Sequence, residues 1–256
     1  MNILLSNDDG VDAPGLRALA EALSPLGRVV VVAPDRERNA VAHALTLHRP
    51  LRLKEVRKDW YSADGTPTDC VHLGVHAVLE RPPELLVAGI NAGGNLGDDL
   101  TYSGTVGVAL EGALLGVPSM AVSLVARGGF NFVPAARVAA YIAGQIIERG
   151  LPERVFLNVN VPNLPEGASI PDIRVTTQGR RIFGSGIVKN EDPRGGEYYW
   201  IGGSELGYVD GDAGSDVAAL ADGCISVTPL HTDLTFGGFI SDLSDWELNQ
   251  KPGGHR

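Results

Sequence analysis

The chain has 256 residues, of which 44% are hydrophobic and 20% charged, and its formal net charge is -10. This composition predicts a folded protein with a substantial core, and the negative charge argues against binding to polymeric nucleic acid, which depends on clustered lysine and arginine. No apolar run approaches the roughly 20 residues that cross a bilayer, and the N-terminus lacks a signal-peptide pattern, so we expect a cytoplasmic protein with no membrane partner.

The first elements form a β-α-β unit. Residues 2–6 and 28–33 are short continuous apolar runs, which are typical of parallel strands covered on both faces. Between them, Pro14 suits the first turn of a helix, and apolar residues recur at helical spacing before Gly27, which is placed to end it.

Helical patterns and strand patterns continue to alternate along the chain. The helix at 66–79 has a clear start, because Thr66 can cap it and Asp69 follows three residues later. The other predicted elements are the helices 106–116 and 133–149 and the strands 84–89, 117–124 and 154–162. Strands that alternate with helices predict an α/β fold with a three-layer, mostly parallel sheet and right-handed crossovers.

The pattern changes after residue 163, where glycine, proline and charged residues become dense. Strand patterns remain at 173–178, 197–202 and 224–230, separated by long polar stretches. We therefore divide the chain into an α/β core, residues 1–163, and a C-terminal extension, residues 164–256, that completes the same domain. The aromatic residues 198–200 indicate an exposed hairpin that contacts another subunit, and a strand packed on its own domain is the alternative.

Two adjacent carboxylates, Asp8 and Asp9, follow the first strand. In open α/β sheets, ligands bind at the carboxyl ends of the strands, and like charges this close repel unless something neutralises them. Gly10 makes it easy for the chain to turn there, so that both side chains can converge. A divalent cation, Mg²⁺ or Mn²⁺, would neutralise them, because it prefers carboxylate and amide oxygens. The alternative is that one aspartate caps the first helix and the other is solvated.

The loop after the second strand carries another polar group. Asn39 has an amide oxygen that suits a cation, whereas Arg36 and Arg38 can meet a phosphate or pair with local carboxylates. His43 is a candidate phosphate contact by its position, and a structural histidine is the alternative.

The longest polar segment lies between the strand at 84–89 and the next helix. Asn91 and Asn95 offer amide groups, and Ser103-Gly104-Thr105 leads into a helix whose free N–H groups form an anion cradle. The segment has neither a Walker lysine nor the dinucleotide-binding glycine pattern. A flexible connection whose hydroxyl merely caps the helix is the alternative. Together, a carboxylate pair and a phosphate-sized cradle predict metal-assisted phosphoester hydrolysis.

Six stretches of the chain form a specific combination, in order from the first residues to about residue 235. They are LLSNDDGVDAPG, VVAPDRERN, GTPTDCV, GINAGGNLGDD, YSGTVGVALEG and TPLHTDLT. Together they closely resemble the SurE family, the stationary-phase survival protein nucleotidases. The resemblance implies a Rossmann-like core with a protruding C-terminal region, rich in β-hairpins, that builds homodimers or homotetramers. It also implies a phosphatase with one Mg²⁺ or Mn²⁺ per subunit that hydrolyses nucleoside 5′- and 3′-monophosphates, and in some members short polyphosphate.

The resemblance also implies roles for individual residues. The metal ligands of the family fall on Asp8, Asp9, Asn39 and Asn91. The third of these is commonly a serine in the family, so the longer side chain of Asn39 is a departure that affects coordination. The phosphate-contacting loop of the family maps onto Asn95 and Ser103-Gly104-Thr105.

The expected reaction is direct attack of water on phosphorus. One of Asp8 and Asp9 orients or deprotonates the water, and the cradle donors stabilise the phosphoryl oxygens as charge develops. An aspartyl-phosphate route is disfavoured, because the two aspartates are adjacent rather than separated by one residue. A nucleotide- and metal-binding assembly protein without turnover is the alternative from another functional class.

Overall fold

The computed structural model describes residues 1–126, 128–182, 187–201, 212–246 and 248. The strands are β1 (Asn2–Ser6), β2 (Arg28–Pro34), β3 (Leu53–Arg57), β4 (Trp60–Ala63), β5 (Leu85–Ala92), β6 (Ser119–Val125), β7 (Val155–Pro162), β8 (Ile173–Val175), β9 (Ile187–Glu191), β10 (Glu197–Ile201) and β11 (Ile225–His231). The helices are α1 (Pro14–Leu23), α2 (Pro67–Leu73), α3 (Gly104–Leu114), α4 (Phe132–Arg149), α5 (Asp216–Ala221) and α6 (Ile240–Ser244).

Nine strands form one sheet in the order β3-β4-β2-β1-β5-β6-β7-β11-β8. The central strands β2, β1, β5, β6 and β7 are all parallel to their neighbours within this group. Their apolar side chains are buried on both faces, against α1 and α4 on one side and α2 and α3 on the other. This arrangement confirms the predicted three-layer α/β fold, because only strands covered on both faces can be continuously apolar.

Two strands at one edge of the sheet were not predicted. β4 pairs parallel with β2, and β3 lies outside it as an antiparallel edge strand. Their sequences, WYSA and LKEVR, lack a continuous apolar run because both strands are partly exposed. Charged residues are common on edge strands, where they discourage pairing with other chains, so the usual strand pattern is weak there.

The ends of several elements differ from the predicted ends. α1 stops at Leu23 and is followed by a 3₁₀ turn, Ser24–Leu26, before Gly27. α2 has the expected capping box between Thr66 and Asp69, and a π-helical turn continues it. β5 runs three residues beyond the predicted end, so Asn91 lies on the strand itself. α3 begins at Gly104, which places the predicted cradle residues in its first turn.

Residues beyond 163 extend the main sheet and form a second one. β11 pairs antiparallel with β7, and β8 pairs parallel with β11. β9 and β10 form a separate antiparallel pair whose residues are all exposed, including Trp200 at 65% and Ile201 at 94%. Gly202, the last residue of the strand predicted at 197–202, lies outside the described residues. In the part of the chain that the structure describes, no helix has the length and apolar character needed to cross a bilayer.

Candidate active site

Asp8 and Asp9 lie in a tight turn at the carboxyl end of β1. The Asn7 side chain closes this turn, because its Nδ2 donates to the Gly10 carbonyl oxygen at 3.0 Å and its Oδ1 accepts from the Gly10 N–H at 3.2 Å. Gly10 has φ of 101°, and a Cβ there would lie 3.2 Å from the backbone of Arg36. The glycine was predicted to allow the turn, whereas the part played by Asn7 was missed. An asparagine three residues before a glycine is a local signal for such a turn.

Asp8 is buried against the first turn of α3, with only 4% of its surface exposed. The Thr105 hydroxyl donates to its Oδ1, and a Cβ on Gly104 would lie 2.8 Å from the Asp8 Cβ. Burial raises the pKa of Asp8, while hydrogen bonds from the Thr105 side chain and from the backbone at Thr105 and Gly104 oppose that rise. The hydroxyl and N–H groups in the first turn of α3 therefore stabilise a carboxylate of this chain.

Asp9 is only partly buried and lies close to two other carboxylates. Burial and the charge of Asp8 raise the pKa of Asp9 to about 6, the backbone N–H of Ala92 opposes the rise, and the charge of Glu37 adds to it. Since like charges raise the pKa of a carboxyl group, a cation between Asp8 and Asp9 would relieve a repulsion that the fold builds in. The Ala92 contact also places the end of β5 beside Asp9.

The two asparagines predicted as ligands have their amide nitrogens engaged. Asn91 Nδ2 donates to the Gly93 carbonyl oxygen at 2.8 Å, and Asn39 Nδ2 donates to the Glu37 carboxylate. In each case the Oδ1 atom is left to accept a hydrogen bond or to coordinate a cation. Asn39 is exposed, and its partner Glu37 is close enough to Asp9 for its charge to raise the pKa of that aspartate.

This donor set fits a hard divalent cation. Two carboxylates and two amide oxygens are the ligands that Mg²⁺ and Mn²⁺ prefer, and neither ion requires histidine or thiolate. Among the described residues, no group of three or more histidine, cysteine, aspartate or glutamate side chains is arranged as an alternative metal site.

Asn95 is held by a buried group of polar side chains that the sequence did not reveal. Its N–H donates to Asn160 Oδ1 at 2.9 Å, and its Nδ2 donates to Ser123 Oγ at 2.7 Å. Its carbonyl oxygen accepts from the side chains of Asn158 and Asn160, both at 2.9 Å. The available signal was the alternation of the two asparagines in LNVNVP, because residues two apart on a strand share a face.

The segment between Asn95 and Ser103 is supported by the C-terminal extension. The buried carboxylate of Asp216 accepts from the N–H groups of Gly97 and Gly179, each at 2.9 Å. Ser103 caps α3, since its Oγ accepts from the Val106 N–H at 3.1 Å. The Ser103 hydroxyl can still donate a hydrogen bond to a ligand. No local pattern in the sequence identifies Asp216 as the support for this segment.

His43 contacts a different part of α3. Its Nε2 hydrogen-bonds to Oε2 of Glu111 at 2.5 Å, and Glu111 lies seven residues after Gly104, about 10 Å along the helix axis. The structure therefore joins Asp8, Gly104 and Thr105 directly, and brings Asp9 to the end of β5, whereas it places His43 against Glu111.

Comparisons with known proteins give a consistent result. The family model described as survival protein SurE matches residues 3–185. A protein named 5′-nucleotidase SurE from Geobacter sulfurreducens is 55% identical over 97% of this chain and 95% of its own length. A protein of the same name from Myxococcus xanthus is 52% identical over 96% of this chain and 94% of its own. The solved SurE protein from Aquifex aeolicus superposes with a TM-score of 0.85 at 44% identity, covering 96% of this chain and 99% of that one.

The matches extend over both the core and the extension, and the family model includes the Asp8-Asp9 turn, β5 and the first turn of α3. On the evidence of its sequence and its fold, the chain belongs to the SurE family.

Proposed function

We propose that this chain is a divalent-metal-dependent nucleotidase that hydrolyses nucleoside 5′- and 3′-monophosphates to nucleoside and phosphate, and also short polyphosphate. The observation that carries the proposal is the carboxylate pair at the end of β1, in which Asp8 is buried against α3 and the pKa of Asp9 is raised by burial and by the charge of Asp8. The relatives from Geobacter sulfurreducens and Myxococcus xanthus, at more than half identity over nearly the whole chain, are named 5′-nucleotidase SurE, which supports the hydrolysis of 5′-monophosphates.

One Mg²⁺ or Mn²⁺ per subunit would be held by Asp8, Asp9, Asn39 and Asn91. When bound, the cation supplies a Lewis acid that withdraws charge from phosphoryl oxygens and lowers the pKa of water. Among the proposed ligands, Asn39 is the one whose position depends most on the conformation of its loop, because its side chain is exposed. The amide nitrogens of both asparagines are already hydrogen-bonded, which orients their oxygens.

Asp9 is the better candidate for the general base. Asp8 already accepts a hydrogen bond from the Thr105 hydroxyl and is buried, whereas Asp9 is partly exposed and can reach a water. We therefore propose that Asp9, rather than Asp8, orients and deprotonates the attacking water.

The phosphoryl group would lie between the aspartates and the segment from Asn95 to Thr105. Asn95 and the Ser103 hydroxyl are the proposed donors to its oxygens, whereas the N–H groups at Gly104 and Thr105, also predicted to contact the phosphate, already hydrogen-bond to Asp8. Hydrogen bonds that Asn95 donates to buried side chains hold it in place, so its geometry is set before the substrate arrives.

We also propose that the enzyme is a cytoplasmic homodimer or homotetramer that acts on small nucleotides. The extension, residues 164–256, would supply the contact between subunits, because the β9–β10 pair exposes Tyr198, Tyr199, Trp200 and Ile201 on one short ribbon. Aromatic side chains of this kind are enriched at protein interfaces.

The test is phosphate release from a panel of nucleoside monophosphates, generic phosphoesters and polyphosphate, with Mg²⁺ or Mn²⁺ and with chelator. We expect release from the nucleotides to require the cation and to fall by at least about a hundredfold in Asp8→Asn. Asp12→Asn is the matched control, because the Asp12 side chain is 91% exposed and pairs only with Arg17, at 3.1 Å, among the described residues.

Undiminished activity in a folded Asp8→Asn variant would refute the proposal. Binding of Mn²⁺ and nucleotide without any phosphate release would instead favour the assembly protein without turnover.

A further inference from the structure

We propose that Glu111 is a positioning residue for the metal site: through His43 it anchors the β2–β3 loop, residues 35–52, on α3 and so sets the place of Asn39. This inference rests on the proposed function, since it concerns a ligand of the same cation. Glu111 touches neither substrate nor cation in this scheme, and its effect passes through the loop.

Glu111 is a buried carboxylate, 5% exposed, that contacts two histidines. His43 on the loop hydrogen-bonds to Oε2 at 2.5 Å, and Nε2 of His72 on α2 lies 2.7 Å from Oε1. The His72 Nε2 atom lies within ion-pair distance of the carboxylate but makes no hydrogen bond of normal geometry. The hydrogen bond from His43, followed by the charges of His43 and His72, holds the pKa of Glu111 below its usual range against the opposing effect of burial. The carboxylate is therefore ionised at neutral pH and binds the loop to the helix.

Other contacts fix the two ends of the loop segment that carries Asn39. On one side, the Arg38 N–H donates to the Asp8 carbonyl oxygen at 2.7 Å. On the other, the Ala44 carbonyl oxygen accepts from the Thr66 hydroxyl at 2.7 Å. Between these ends, the segment contacts Gly107 and Glu111 of α3, and Tyr102 just before that helix.

The middle of this segment has an unfavourable backbone. Ala40 and Ala42 have φ of 54° and 50°, in the left-handed region that residues with a Cβ rarely adopt. Such conformations persist only where surrounding contacts offset their cost. The Ala42 N–H donates to the Tyr102 carbonyl oxygen at 3.3 Å, a long hydrogen bond, and a Cβ on Gly107 would lie 3.0 Å from the Ala42 carbonyl oxygen. The hydrogen bond between His43 and the Glu111 carboxylate, at 2.5 Å, lies directly next to this backbone and is much shorter than the Ala42 hydrogen bond.

The experiment measures Mn²⁺ affinity by calorimetry, without substrate, on the full chain and three variants. We expect Glu111→Gln and His43→Gln to weaken Mn²⁺ binding by about tenfold, because a charge-assisted hydrogen bond no longer holds the loop. His72→Gln is the matched control, since it removes a contact with the same carboxylate from α2 but none with the loop, and it should change the affinity by less than about threefold. Hydrogen exchange at the Ala42 N–H should become faster in the first two variants only.

The variants distinguish a positioning role for Glu111 from direct phosphate binding by His43. A histidine that binds phosphate directly would raise KM when substituted, yet leave the Mn²⁺ affinity measured without substrate unchanged, and that result would overturn the inference. Equal weakening in His43→Gln and His72→Gln would also overturn it, because it would show a general structural role. If Glu111→Gln fails to fold, the histidine variants decide, since their side chains are 32% and 37% exposed. A wild-type chain that binds no Mn²⁺ refutes the proposed function itself, whereas normal wild-type binding with unaffected variants refutes only the role of Glu111.

Discussion

Substitution of Asp9 by asparagine should stabilise the metal-free protein at alkaline pH. Burial and the charge of Asp8 raise the pKa of Asp9 from 3.8 to about 6. A carboxyl group whose pKa is higher in the folded state binds protons more tightly there, so folding is favoured at low pH and loses stability as the pH rises from about 4 to about 6. Above that pH range Asp9 is ionised and destabilises the folded wild type by the full amount, whereas the neutral side chain of asparagine causes no such destabilisation.

The size of this effect follows from the change in pKa. The difference between 3.8 and about 6 corresponds to about 3 kcal/mol. Because Asp9 is partly exposed, solvent screening reduces this to about 1–2 kcal/mol. In a chain of this length, 1 kcal/mol shifts the melting temperature by roughly 2–4 °C, so Asp9→Asn should melt about 2–8 °C higher than the wild type at pH 8 in chelator. At pH 4 the difference should nearly disappear.

With Mn²⁺ added, the wild type should melt at a higher temperature than Asp9→Asn. A ligand present at a hundred times its dissociation constant stabilises a folded protein by about 2.7 kcal/mol, and only the wild type retains both carboxylates for the cation. Thermal unfolding followed by circular dichroism, with chelator or Mn²⁺, measures each case. Asp12→Asn, at an exposed site, should stay within about 0.5 kcal/mol of the wild type. The reasoning is refuted if Asp9→Asn melts below the wild type in chelator at pH 8, or if Mn²⁺ stabilises the two proteins equally.

Three further predictions concern the site and its supports. Gly104→Ala introduces a Cβ only 2.8 Å from the Asp8 Cβ. It should lower the free energy of unfolding in urea by about 1–3 kcal/mol and reduce phosphate release. Wild-type values for both quantities would contradict the packing of Gly104 against Asp8. Asn160→Ala removes two hydrogen bonds to the backbone of Asn95 and leaves buried polar groups unpaired, so urea unfolding should show a loss of about 2–4 kcal/mol, and a loss below about 0.5 kcal/mol would argue against this network. Ile201→Ser on the exposed ribbon should leave the melting temperature of the subunit nearly unchanged but reduce the mass found by light scattering, whereas an unchanged mass would place the subunit contact elsewhere.

The sequence by itself determined the central sheet, the helices around it and the position of the carboxylate pair. These features have local signals: apolar runs mark β1, β2 and β5–β7, the spacing of apolar residues marks α1 and α4, and Thr66 with Asp69 marks the start of α2. The edge strands β3 and β4 lacked such signals, because a partly exposed strand needs no continuous apolar run.

Only the tertiary structure decided what each polar residue contacts. Thr105 donates to a side chain 97 residues away, His43 meets Glu111 across 68 residues, and Asn95 is held by Asn160 across 65. The order and register of the strands bring these distant segments together in space, and a local sequence pattern carries no information about that order. The sequence therefore indicated which residues could form the site, and the packing of the sheet and α3 decided which of them meet.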